Sequence, residues 1–443
     1  MLAPFRGIRY ARDRVSGIAN VTSPPYDVIS GGILEHLRAA DPHNVVRLIL
    51  PGIGAEASQA AASLMRQWLS SGVLIRDRMP ALYIYEQSVG QADDAVPSWR
   101  QRGLISLVRL GSPESAGILP HENVMPGLVA DRRELMAATQ ANLEPIFLIY
   151  DGEGTQAYDG EGTGAAEEST ATELVDRVAA ERAPLVSITT EDGVTHRLWR
   201  ISEQAEHAAV AADLAGRRAL IADGHHRYAA YLDLQAEMRA AGLGGGPWDY
   251  GLAFLVDSDA YPPRVGAIHR VLPGLRPERA AELAKAAFAV QDLPAEARLD
   301  EALGQLAAAG AEGTAFLLAG DPAGGGTRFR LLSHPDPVQL AASMPADASV
   351  PWRCLDASVL QQLLIGRLWD IIDSEQAVLI NHDAADAVRA TAGTGATAVI
   401  SNPLSFDAVI QTAAHGERVP RKSTSFGPKP RTGLVLRTFG PSD

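Results

Sequence analysis

The run Ile221-Ala222-Asp223-Gly224-His225-His226-Arg227-Tyr228 constrains this chain more than any other. The apolar stretch Ala219-Leu220-Ile221-Ala222 reads as a buried strand, and Ala229 to Ala241 reads as a helix. Gly224 sets a tight turn between them. Backbone N–H groups and the positive end of the helix dipole converge at such a helix start, which makes an anion site. Arg227 adds a planar fork suited to phosphate oxygens. Adjacent histidines point in different directions on a helix, so one core face does not account for both. The plainer alternative is a strand–turn–helix in which Asp223 caps the helix and the histidines lie on the surface.

A chain of 443 residues exceeds one ordinary core, so two or three domains are expected. Formal charge is −14, from 39 Lys and Arg against 53 Asp and Glu. That argues against broad binding to nucleic acid or to an anionic membrane, both of which need a basic face. The single cysteine, Cys354, excludes an internal disulfide framework and fits a reducing cytoplasm. The start Met1-Leu2-Ala3-Pro4-Phe5-Arg6 lacks the pattern of a signal peptide, and none is expected. No apolar run reaches the roughly 18 residues of a membrane span.

Strand-like and helical patterns alternate along the chain, which indicates a mixed α/β or α+β protein. Three regions are expected: an N-terminal α/β region over 1–115, a core over 116–273, and a C-terminal α/β region over 274–443. Asn44 to Pro51 reads as a strand stopped by proline, Ala81 to Gln87 with Gln101 to Leu110 as a hairpin, and Gly251 to Asp257 as a buried strand. Ser202 reads as the N-cap of a helix running to Ala215, Asp356 to Leu368 as an apolar helix, and Gly433 to Arg437 as a strand. The Gly, Glu, Ala and Thr-rich stretch from Asp151 to Thr170 reads as a mobile insertion.

Three further clusters carry candidate chemistry. In Pro120-His121-Glu122, Glu122 is a general-base candidate and His121 a phosphate or metal contact; the alternative is a solvated loop. The run Arg421 to Gly433 sets four cations, four hydroxyls and two glycines in a proline-broken loop. Lys422, Ser423, Thr424 and Lys429 suit phosphate there, and the alternative is a basic tail. Pro24-Pro25-Tyr26-Asp27 with Asn44 and Arg47 could bracket the charged ends of a small amino acid, or simply form a turn. No dedicated metal site is expected, because no metal-ligand spacing such as His-Glu-x-x-His occurs.

Taken in order, these motifs resemble the bacterial and archaeal domain of unknown function 1015 family. The matching residues are Pro24 to Ile29, Asn44 to Pro51, Pro120-His121-Glu122, Ala222 to Tyr228, His269-Arg270 and Lys422 to Lys429. Asn123-Val124 departs from the family's polar residue plus threonine, and Ser425 and Gly427 stand where aromatic residues are common. The His-Glu and Asp-Gly-His-His-Arg motifs, about 100 residues apart, are also similar to the ParB/sulfiredoxin-like superfamily and its free-serine kinases.

That resemblance implies a ParB/sulfiredoxin-like nucleotide-binding core flanked by α/β regions. It implies Mg²⁺ with ATP or ADP, a small-molecule acceptor, and phosphoryl transfer to or from free L-serine. Glu122 becomes the base, and Asp223 orients the acceptor or Mg²⁺ beside a catalytic His225. His121, Gly224, His226, Arg227, Lys422, Ser423, Thr424 and Lys429 hold phosphates. Tyr26, Asp27, Asn44, Arg47, His269 and Arg270 are substrate-contact candidates. Two other functions stay open: a nucleotide-gated regulator of ParB type, and a nucleotide-independent phosphatase or isomerase of a phosphorylated metabolite. The expected partners are the nucleotide and the acceptor, with neither nucleic acid nor membrane, and a homodimer is allowed for.

Overall fold

The computed structural model describes residues 2–90, 97–111, 116–152, 170–321, 326–374 and 376–440. Most of the stretch read as a mobile insertion lies outside the described residues. The chain divides into two compact units. The first takes residues 1–120, 124–263 and 428–443, and the second takes 121–123 and 264–427.

The first unit is built on a nine-stranded sheet among the described residues. Its order is Ile118–Leu119, Ala219–Asp223, Ile146–Tyr150, Tyr250–Asp257, Trp99–Arg109, Leu82–Val89, Val194–Ile201 and Val186–Thr189, with Leu2–Ala3 also paired to Trp99–Arg109. Two pairings are parallel, Ala219 beside Ile118 and Ala253 beside Ile146, and the rest are antiparallel. Strands from residues 1–115 and 116–273 thus share one sheet. The reason is burial: Ile146–Tyr150 and Ala219–Asp223 are buried along their whole length, so they need cover on both faces. The expected hairpin is present, with Tyr83 opposite Ile105.

The helix His225–Ala240 packs against the helix Pro126–Thr139, which packs in turn on Ala55–Ser70. One core joins Ile146, Leu148 and Ile221 to Tyr228 and Leu234. A second core gathers Val45, Leu48 and Ile49 around Met65 and Trp68.

Three sequence expectations change here. Asn44 to Pro51 is not a strand: Val46–Ile49 forms one helical turn. The Asn44 Oδ1 accepts the Val46 N–H at 2.9 Å and starts that turn. Val45, Val46, Leu48 and Ile49 are all buried, so the segment carries no alternation to mark its period. The helix expected from Ser202 is Gln204–Asp213, and its N-cap, Glu203, makes no side-chain cap bond. Gly433 to Arg437 gives only the short strand Arg437–Thr438, paired with Ala141–Asn142, plus single bridges from Leu436 to Ile8 and from Thr432 to Ser23.

The second unit carries a six-stranded antiparallel sheet among the described residues. Its order is Ala289–Asp292, Arg328–Ser333, Phe316–Gly320, Thr397–Ser401, His269–Leu272 and Leu379–Asn381. One face covers Leu272, Phe316, Leu363 and Leu364, and the other covers Val271, Leu306, Leu317 and Ala387. The expected helix over 356–368 begins as α-helix at Asp356–Val359 and continues as π-helix over Leu360–Leu368. A separate two-stranded ribbon pairs Arg264–Gly266 with Ser425–Gly427. No helix among the described residues is long and apolar enough to cross a membrane.

Gly103 sits in the middle of the first sheet, where a Cβ would collide with the carbonyl oxygen of Leu255 on the adjacent strand. Backbone cannot yield as a side chain can. Gly103→Ala should therefore lower stability by roughly 1–3 kcal/mol, read by urea denaturation.

Candidate functional site

Asp223 ends its strand, and Gly224 follows in the left-handed region at φ 94°. A Cβ there would stand 3.0 Å from Ile146 Cγ2 and 3.1 Å from Arg227 Nε, so glycine satisfies both the turn and the close approach. The 16-residue helix that begins at His225 has no side-chain N-cap bond. Its start keeps the partial positive charge of a helix N-terminus. Asp223 therefore does not act as the cap.

One helical turn on, Arg227 reaches back. Its Nη2 donates to Asp223 Oδ2 at 2.5 Å and its Nη1 to the Pro145 carbonyl at 2.5 Å. Its Nε has no hydrogen-bond partner among the described residues. The other oxygen of Asp223 meets Lys429 Nζ at 2.5 Å, and the same ammonium donates to Asp27. Two carboxylates 196 positions apart are thus held by one lysine far along the chain.

Tyr26 lies against this cluster, with Arg132 at 4.6 Å and Arg227 at 5.8 Å from its ring centre. Its backbone N–H donates to Glu144 Oε1 at 3.1 Å, and the Thr432 hydroxyl donates to the same oxygen at 3.0 Å. Asp27, Asp223 and Glu144 face Lys429, Arg227 and Arg132, and Arg132 is itself paired with the adjacent Asp131 at 2.5 Å.

Burial drives the electrostatics. It pushes Asp223 above the usual carboxylate range, the Asp27 charge pushes the same way, and Arg227 and Lys429 only partly oppose them. Burial also acts to raise Asp27, but Lys429 and Arg227 overcome it and hold that carboxyl low. Glu144 is raised, again by burial first. The Tyr26 hydroxyl is pushed up to about 12 by burial. On Lys429, burial acts to lower the pKa, but Asp223 and Asp27 raise it above its ordinary value. The ammonium therefore stays charged at neutral pH.

Of the two histidines, His225 is buried. His226 accepts the Met125 N–H on its Nε2 at 3.1 Å, so its ring proton there resides on Nδ1. Asn44 and Arg47 do not join the cluster. The Asn44 amide donates to the carbonyls of Asn20 and Thr22, and Arg47 Nη2 donates to the Arg38 carbonyl. Glu144 and Arg132 were not singled out in the sequence. The available signal for Glu144 was an acid placed immediately before Pro145 and a wholly apolar strand.

In the second unit His121 is fully buried. Its Nε2 lies 2.8 Å from the Thr424 hydroxyl, which donates to Glu122 Oε1 at 3.1 Å. A hydroxyl has one proton to give, so His121 Nε2 carries the proton in the first bond and Glu122 accepts as a carboxylate. The Phe426 ring meets His121 edge-on at 5.4 Å, and the Val419 N–H donates to the His121 carbonyl at 2.8 Å. Arg270 donates to the carbonyls of Arg421 and Lys422 at 3.0 and 2.8 Å, fixing the loop that carries Ser423 and Thr424. Burial lowers Arg270 to about 10. Lys422 is exposed, with φ at 54°, and the Ser423 hydroxyl donates to the Pro420 carbonyl. The Arg421 to Gly433 run therefore divides, with Lys422, Ser423 and Thr424 in the second unit and Lys429 in the first.

No group of three or more His, Cys, Asp or Glu among the described residues could hold a metal ion. Asp27 and Asp223 offer two carboxylates, the donor set Mg²⁺ takes when phosphate oxygens complete its shell.

Lys429→Met removes the ammonium between Asp27 and Asp223 and leaves Arg227 as the one cation of this cluster still bonded to Asp223. It should cost roughly 1–3 kcal/mol by urea denaturation, below a fully buried pair because Asp27 is a third exposed. Adding Asp223→Asn should recover part of that loss in a double-mutant cycle. His269, lowered to about 4 by burial, gives a pH test. An unfolded histidine titrates near 6.5, so between these values the unfolded chain binds the extra proton. His269 should cost stability as pH falls through that window, at up to about 1.4 kcal/mol per pH unit, and His269→Gln should remove that part of the slope.

Among solved structures, a free serine kinase in complex with AMP is 14 % identical, covering 73 % of this chain and 87 % of its own at a TM-score of 0.33. A C-terminally truncated SbnI from Staphylococcus aureus is 13 % identical, covering 74 % and 84 % at 0.34. A conserved hypothetical protein from Pyrococcus furiosus is 14 % identical, covering 73 % and 90 % at 0.30. No curated protein matches the chain. The family described as protein of unknown function (DUF1015) matches residues 2–358, most of the chain, and the chain belongs to that family.

Proposed function

We propose that this protein binds a nucleotide's phosphates at the start of the helix His225–Ala240 and transfers a phosphoryl group to a small hydroxyl-bearing metabolite. Free L-serine is the first acceptor to test. One observation carries the reading: a lysine bridges two carboxylates beside a helix start that no side chain caps. Burying so many charges is costly unless they are paired, and packing alone does not call for them. They provide what phosphoryl transfer needs, namely positive charge and positioned carboxylates.

In this reading the amides of the helix start receive phosphate oxygens, with His225 and His226 beside them. Arg227 does not itself reach the phosphates. It fixes Asp223, and Lys429 is the mobile cation that moves from carboxylate to phosphate. Asp27 and Asp223 would hold Mg²⁺, which supplies charge neutralisation when bound with ATP or ADP. The motif resemblance assigns the acceptor's hydroxyl proton to Glu122, a hydrogen-bond-accepting carboxylate of the second unit. The acceptor oxygen then bonds to the terminal phosphorus, the bond to the bridging oxygen breaks, and the shortened nucleotide leaves. The ParB/sulfiredoxin-like character of the first unit and a cytoplasmic setting belong to the same proposal.

The test is phosphorus NMR on the full chain with Mg²⁺ and ATP or ADP, with and without L-serine. A phosphomonoester signal that requires serine is expected. It should fall by at least about 100-fold in rate in Glu122→Gln, while nucleotide binding is retained. Nucleotide consumption without an acceptor would favour the regulator instead. No change in either sample, or full turnover in Glu122→Gln, would overturn the kinase assignment.

A further inference from the structure

The first unit has a second cleft, of about 570 Å³, whose walls include none of Asp27, Asp223, Arg227 or Lys429. Its volume falls in the range of small-molecule sites. One wall is the helix Gly31–Ala40, which offers Ile33 and Leu37. The turn Thr190, Glu191 and Asp192 that joins two strands of the sheet also lines it. Arg431 is a further lining residue.

Arg431 is held entirely by neutral acceptors. Its Nε donates to the Thr22 hydroxyl at 2.7 Å, and its Nη2 donates to the carbonyls of Ala19 and Thr22 at 3.3 and 3.1 Å. Its backbone N–H donates to the Tyr85 hydroxyl at 3.1 Å. No carboxylate among the described residues stands within ion-pair distance of its guanidinium. Burial accordingly pushes its pKa down, opposed by Tyr85, Asp192 and Glu191 at longer range. A largely buried cation without a counterion is costly, and a ligand carboxylate would relieve that cost.

The turn that lines the same cleft has the opposite sign. Asp192 accepts the Thr190 hydroxyl and the Val194 N–H, which fix it in place, and Glu191 pairs with His36 at 3.3 Å. A simple anion entering this cleft would meet those carboxylates, and a simple cation would meet Arg431. A molecule bearing both charges satisfies both sides. Ile33 is 44 % exposed, an apolar surface left for a ligand to cover.

We propose that this cleft binds a free α-amino acid with an apolar side chain. Its carboxylate lies on Arg431, its ammonium faces Asp192, and its side chain rests on Ile33 and Leu37. The site is separate from the phosphoryl-transfer reading and needs no nucleotide.

Isothermal titration calorimetry on the full chain, without nucleotide, tests it with L-leucine as the probe. Saturable binding is expected. Isocaproate, which lacks the ammonium, and isopentylamine, which lacks the carboxylate, should each bind at least about tenfold more weakly. Ile33→Trp fills the cleft from an exposed helix position and should abolish binding while circular dichroism stays unchanged. Arg431→Gln should also abolish it; if that variant fails to fold, Ile33→Trp decides. Absence of L-leucine binding, equal binding of isocaproate, or binding that survives Ile33→Trp would each overturn the proposal.

Discussion

The contact between Lys429 and its two carboxylates organises the first unit. Asp223 comes from the end of a buried strand, Asp27 from a proline-stiffened segment near the start of the chain, and Lys429 from close to its end. Asp223 is buried and does not tolerate that burial unpaired, while Asp27 and Lys429 are partly exposed. The ammonium is therefore a tie as well as a charge: it fixes three remote stretches against one helix start. Arg227 completes the arrangement by occupying the second oxygen of Asp223 and the carbonyl of Pro145. The close approach at Gly224 makes that geometry attainable.

A quieter network supports it. Glu144 accepts from the Tyr26 amide and the Thr432 hydroxyl, so it joins the two chain segments that carry Asp27 and Lys429. Its carboxylate sits between Arg227 and Arg132 electrostatically, which keeps a wholly enclosed acid compatible with folding. In the second unit, Thr424 plays a comparable joining part. Its hydroxyl links His121 to Glu122, and Arg270 holds the backbone of the loop that presents it.

Much of this was legible in the chain. The strand Ala219–Asp223, the glycine and the helix from His225 follow from an apolar run, a turn residue and a change of period. Asp27 and Lys429 could be flagged as charged residues in unusual company, but their meeting could not, because pairing across 402 positions leaves no local pattern. Val46–Ile49 was unreadable for a different reason: a helical turn buried on every side has the same composition as a buried strand. Glu144 was overlooked because a lone acid beside a proline looks like a loop residue until its burial is known. The division of the Lys422 to Lys429 run between two units also has no sequence mark, since both halves are equally basic and proline-broken.

The chain order of these pieces bears on how the protein is made. Residues 264–427 lie between the main part of the first unit and its closing segment, 428–443. That segment carries Lys429, Thr432 and Arg437, and its backbone pairs with Ser23, Ile8 and Asn142. On the ribosome, the larger unit therefore emerges first yet finishes last. Its acids at positions 27, 144 and 223 wait without their lysine while the smaller unit is synthesised and has all its residues to fold. Synthesis stopped just before residue 428 would leave a complete second unit attached to a first unit that still lacks its central cation.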